Sequence, residues 1–73
     1  MGGAMATLQV RVNGVMQSIP EGFTLQGLIE RYRLKEQAVV LELNRQVIPR
    51  SSYRDTDLRD YDTVEIVRFV GGG

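Results

Sequence analysis

The 73-residue chain has no cysteine, no histidine and no tryptophan. Without cysteine it can form no disulfide, thiolate metal site or iron–sulfur cluster, and it has no thiol nucleophile. Without histidine the commonest general base and metal ligand is missing, so a Ser–His–Asp triad cannot be built. Neither charge is in excess. Nine Lys+Arg balance nine Asp+Glu, for a formal net charge of +0 at pH 7, which argues against indiscriminate binding to nucleic acid or to an anionic membrane. Long apolar runs are absent too. The longest aliphatic stretch, Ala38–Leu41, stops at Glu42, far short of the about 20 residues of a membrane span. The start has neither the basic nor the apolar region of a secretory signal, so a cytoplasmic protein is expected. Residues 1–5, which open Met-Gly-Gly-Ala before Met5, read as an appended leader or a disordered N-terminus. The length accommodates one domain, expected over residues 6–70.

What is present is periodicity. Leu8, Val10 and Val12 alternate with Gln9 and Arg11, the mark of a half-buried strand. Asn13-Gly14 follows, the strongest short hairpin signal, and Val15–Ile19 is the return strand, with Val15 and Ile19 on one face. Thr24 is a good N-cap. Behind it Leu25, Leu28, Ile29 and Tyr32 fall at i, i+3, i+4 and i+7, predicting a helix over about 24–33 with one apolar stripe. Gly27 inside it reads as a small residue for close packing on a sheet. A third strand is expected over 38–43, with Val39, Leu41 and Leu43 inward and Val40 and Glu42 outward. Asn44-Arg45 is a turn, and Gln46–Ile48 a short strand that Pro49 confines to an edge. Ser51–Leu58 reads as irregular, with a helical turn near Ser52-Tyr53. Asp60-Tyr61-Asp62 is a further turn. Thr63–Val70 is the last strand, with Val64 and Ile66 inward and Glu65, Val67 and Phe69 outward. The expected core is Leu8, Val10, Val12, Val15, Ile19, Leu25, Leu28, Ile29, Tyr32, Val39, Leu41, Leu43, Ile48, Leu58, Val64 and Ile66. One helix on one face of a mixed four- to five-stranded sheet is an α+β two-layer domain.

Catalytic chemistry has little to stand on. Asp55, Asp57, Asp60 and Asp62 lie close together, but Arg59 and Asp60 break the spacing of a calcium loop. They read instead as turn residues, and no metal site is expected. Ser51 and Ser52 have no histidine to activate them. Tyr53 lies between Arg50 and Arg54, a weak sign of a base-stacking platform that the neutral charge and nearby aspartates oppose. The remaining feature is the end. The last strand runs into Gly71-Gly72-Gly73. Such a tail reads either as a frayed terminus or as a probe for a narrow channel, since glycine has no side chain to obstruct it. Extended, Val70–Gly73 reaches about 13 Å. With no catalytic group elsewhere, the Gly73 carboxylate is the most reactive handle. Val67 and Phe69 are apolar on a face that should be wet, which points to an interface unless the 51–58 segment covers them.

Three segments carry a resemblance: Asn44–Arg50, Asp60–Val67 and Phe69–Gly73. Together with the element order they resemble the β-grasp (ubiquitin-like) fold and, more narrowly, the ThiS sulfur carriers of thiamine biosynthesis. The resemblance implies a carrier and not a catalyst. A ThiF-type adenylyltransferase would use ATP and magnesium to activate Gly73, the chain itself holding no cofactor. A cysteine-desulfurase persulfide would supply sulfur to form a thiocarboxylate, and a ThiG-type thiazole synthase would accept that sulfur for the thiazole. Gly71 and Gly72 would give channel access. By analogy with ubiquitin-like domains, Val40, Glu42, Glu65, Val67, Phe69 and Val70 would meet partners. No nucleic-acid or membrane partner is implied. The family often has glycine where Tyr61 stands, so a positive φ there would strain this chain. Rival readings are a MoaD-type subunit of molybdopterin synthase, a ubiquitin-like modifier and a non-carrier β-grasp binding or regulatory module.

Overall fold

The computed structural model describes residues 6–69. Two hairpins flank one helix and leave the last strand to enter between them. The first hairpin joins β1 (Thr7–Val12) to β2 (Val15–Pro20). Asn13 and Gly14 both take positive φ, 49° and 84°, as a type I′ turn requires. The second joins β3 (Val39–Leu43) to β4 (Gln46–Ile48) through Asn44 and Arg45, again both at positive φ. The final strand, β5 (Thr63–Arg68), lies in the middle of a five-stranded sheet of order β2-β1-β5-β3-β4. It runs parallel to β1 and antiparallel to β3. Helix α1 (Leu25–Arg31) packs Leu25, Leu28 and Ile29 into the core against one sheet face. This is the β-grasp architecture.

The helix is shorter than its apolar stripe. Thr24 caps it, its Oγ1 accepting from the Gly27 N–H at 3.1 Å. At the other end Arg33 takes φ 57°. The Arg33 and Leu34 amides donate back to Glu30 and Ile29, both at 3.0 Å, a Schellman closure. Tyr32 therefore ends the helix and stands partly exposed, not in the core, while Leu34 beyond the cap packs inward. Val15 is a second correction. It faces Val12 across the hairpin, but at the end of an edge strand nothing covers it, and 57% of its surface is exposed. Gly27 is the third. A Cβ there would meet the Phe23 ring at 3.3 Å, so its small size makes room for Phe23 and not for the sheet.

The segment read as irregular is ordered. Arg50–Asp55 forms a 3-10 helix. Leu58 N–H then donates to the Phe23 carbonyl and Leu25 N–H to that of Thr56, at 2.8 and 3.0 Å. These bonds lash the segment to the start of α1. Its Tyr53, expected in a loop, is 1% exposed. The Tyr53 hydroxyl accepts from the Leu41 N–H at 3.3 Å, the partner a buried phenol needs.

Tyr61 takes the positive φ at which a side chain is strained. Its φ is 67°, held there because its N–H donates to the Gln9 carbonyl at 2.6 Å. The side chain is exposed and adds no core packing. Tyr61→Gly is therefore expected to stabilise the fold by about 1 kcal/mol, the left-handed penalty less glycine's extra chain entropy. Urea unfolding checks this, and an unchanged or lower midpoint would count against strain at the turn.

Candidate functional site

The helix leaves the second face of the sheet open, and β5 places the candidate residues on it. Strict alternation puts Val64 and Ile66 under the helix and Glu65 and Val67 on the open side. Register with β3 then sets Val40 directly opposite Val67 and Glu42 directly opposite Glu65. Val47 of β4 lies across from Glu42. Phe69, just past β5, donates its N–H to the Ala38 carbonyl at 2.9 Å. Val67 is 48% exposed, Phe69 55% and Val47 63%. The 50–58 segment packs at the helix and does not cover them. Four of the partner-facing candidates thus form two cross-strand pairs, with Phe69 beside them. Val70 and the tail candidates Gly71, Gly72 and Gly73 lie outside the described residues.

β5 is held from both sides by the two hairpin asparagines, at its first residue Thr63 on the β3 side and at Ile66 on the β1 side. On the β1 side, Asn13 Oδ1 accepts from the Ile66 N–H at 2.7 Å, and its Nδ2 donates to the Ile66 carbonyl at 3.3 Å. On the β3 side, Asn44 Oδ1 accepts from the Thr63 N–H at 3.0 Å, and its Nδ2 donates to Asp62 Oδ1 at 3.0 Å. Each carboxamide continues a ladder where the neighbouring strand has turned away. Sequence reasoning assigned these residues only to turns, because their partners lie 53 and 19 positions along the chain. The strand that carries the chain end is therefore a central, clamped strand and not a fraying edge.

The aspartates serve the same frame. Asp60 Oδ1 accepts from the Gln9 N–H at 2.7 Å, and Asp62 Oδ2 from the Arg59 N–H at 2.8 Å. The Asp62 bond closes the turn locally, whereas the Asp60 bond ties the turn to β1 across 51 positions. Among the described residues no group of three or more Asp or Glu is placed to hold a metal ion. Tyr53, buried as described, offers no face for stacking. Among the described residues no helix is long and apolar enough to cross a membrane. The site consists of an apolar strip on the open face, two paired carboxylates within it, and a rigid strand leading toward the glycines.

Comparison with known proteins gives a consistent picture. The family model described as ThiS family matches residues 10–73. The sulfur carrier protein ThiS of Bacillus subtilis is 42% identical over 50 residues, covering 68% of this chain and 76% of that protein. The crystal structure of a thiamine biosynthesis protein (ThiS) from Geobacter metallireducens superposes with a TM-score of 0.77 at 29% identity, over 90% of this chain and 100% of that one. A thiazole synthase of Paramagnetospirillum magneticum is 30% identical over 66 residues, which is 90% of this chain but 20% of the enzyme. One from Magnetococcus marinus is 32% identical over the same length and shares. Similarity to these enzymes is confined to about a fifth of their length.

Proposed function

The chain belongs to the ThiS family, the small sulfur carriers of thiamine biosynthesis, and from that premise we propose that Gly73 is its working group. The Gly73 carboxylate attacks the α-phosphate of ATP on a ThiF-type adenylyltransferase, with magnesium bound to the nucleotide. Pyrophosphate leaves and an acyl-adenylate forms. The terminal sulfur of a desulfurase persulfide then displaces AMP, giving an acyl disulfide. A thiol cleaves that disulfide and releases the thiocarboxylate. A ThiG-type thiazole synthase takes the sulfur, and the carboxylate is regenerated. The chain supplies no catalytic residue to these steps. It supplies an activatable carboxyl on a glycine tail and a surface that docks it.

The single observation that carries this reading is the extent of the family match, which runs through the open-face strand and includes Gly71–Gly73. The similarity to a segment of thiazole synthases supports that enzyme as a partner. Intact-mass spectrometry tests the chemistry. Incubation with a ThiF-type enzyme, ATP, magnesium and a persulfide source is expected to replace one terminal oxygen by sulfur. Absence of both that shift and AMP release would overturn the proposal.

Docking is expected to run over the open face. Phe69→Ser removes an exposed aromatic that no core contact needs, so the melting temperature should hold. Affinity for the thiazole synthase should fall about 10- to 30-fold, as for a central interface aromatic. Titration calorimetry checks this, and an unchanged Kd would place the interface elsewhere.

A further inference from the structure

The register of the open face sets two carboxylates side by side. Glu42 of β3 and Glu65 of β5 are direct cross-strand partners. Such residues hold their Cβ atoms about 4.5–5.5 Å apart, and like charges so placed repel. Their apolar neighbours offer no relief. The next pair toward the chain end is Val40 with Val67, and Val47 stands on the other side of Glu42. None of these three valines carries a donor or a charge; on the far side the next pair is Asn44 with Thr63, and the Asn44 Nδ2 is already committed to Asp62 Oδ1. Glu42 is half-buried among them while Glu65 is exposed, so water screens the pair from the Glu65 side only. The cation of the neighbouring strand, Arg11, is placed opposite Thr63. Among the described residues it forms no ion pair with Glu65. Apposed carboxylates within an exposed apolar strip weaken the isolated fold. They are complementary to a single cation ringed by apolar groups.

We infer that Glu42 and Glu65 form a clamp for one basic side chain delivered by the docking surface of the thiazole synthase. This inference rests on the carrier reading above and names the chemistry of the partner's contact. An arginine fits best, because its planar fork of five N–H donors bonds two carboxylates at once, whereas a lysine offers a point charge. Docking covers Val40, Val67 and Phe69 and removes water from the clamp. The repulsion present in the free chain then becomes attraction in the complex. The clamp also selects partners, since an acidic or purely apolar surface leaves both carboxylates buried and unpaired.

The test is the binding of the full chain to a ThiG-type thiazole synthase, measured by calorimetry at low and high sodium chloride. Three proteins are compared: wild type, Glu42→Gln/Glu65→Gln and Phe69→Ser. Wild type is expected to lose at least tenfold in affinity between about 50 and 500 mM salt, as a charge clamp should. The double glutamine variant is expected to melt higher than wild type. At low salt it should bind at least tenfold more weakly, with little remaining salt dependence. If it binds as tightly as wild type while Phe69→Ser is weakened, the clamp is wrong and the docking face stands. If the double variant melts lower than wild type, the carboxylates do not repel in the free chain and the clamp is overturned on that ground. If wild type does not bind the enzyme at all, the clamp is overturned, while the carrier reading stands or falls on the mass shift and AMP release above.

Discussion

Gly72→Val is expected to abolish charging of the chain while leaving its melting curve unchanged. The position lies four residues past Arg68, where β5 ends, and outside the described residues. Its proposed role is in access. A tail without side chains enters a passage that a branched Cβ blocks. The rate of AMP release with a ThiF-type enzyme should fall by about 100-fold or more, equivalent to about 2.7 kcal/mol of lost transition-state stabilisation. Deleting Gly73 should be as severe for a different reason, since it removes the carboxyl from its reach. Intact-mass measurement of the charged species separates the two from a folding defect. A Gly72→Val chain that charges at the wild-type rate would show that the passage is wide, and the case for a glycine-only tail would fail.

Tyr53→Ala is expected to cost about 3–5 kcal/mol of stability, the range for removing a buried aromatic from a packed core. For a chain of this size that is a large share of the total, because domains of 60–80 residues bury little surplus apolar surface. Tyr53 is the largest side chain in the core and the one that the 3-10 segment contributes to it. Its loss should also free the Leu41 N–H from its hydroxyl partner, in the strand that carries Val40 and Glu42. Tyr53→Phe keeps the ring and gives up only that bond, for about 1 kcal/mol. Urea unfolding of both variants gives the comparison. Equal midpoints for Tyr53→Ala and wild type would mean that the ring does not support the core.

Some of the site is legible in the sequence. The outward parity of Glu65 and Val67, and of Val40 and Glu42, follows from period-two alternation and is what the sheet shows; Phe69 lies one residue past it and is exposed. That Glu42 and Glu65 face each other was not legible. Parity names a face, whereas opposition depends on register between strands whose residues lie more than 20 positions apart. The same limit applies to Asn13 and Asn44. Their turns were readable from local backbone preference, but their carboxamides brace β5, and no local signal reports a partner across the sheet.

The chain's own sequence determined the features governed by contacts within a few residues. Thr24 caps the helix because its hydroxyl reaches three residues ahead, and the Asn13-Gly14 turn follows from positive-φ tolerance in two adjacent residues; at Asn44-Arg45 only the asparagine favours that region, and the hairpin holds Arg45 at φ 72°. The central core of Val10, Ile19, Leu25, Leu28, Ile29, Leu41 and Val64 follows from periodicity. Tertiary structure alone decided the rest. Tyr53 is buried because a 3-10 turn delivers it beneath the sheet. Val15 and Tyr32 are exposed because a hairpin end and a Schellman closure carry them past the last covering residue. Burial at such places depends on what lies on the far side, which is packing and not pattern. The pairing of Glu42 with Glu65 came from strand order, and strand order is chosen by the whole core at once.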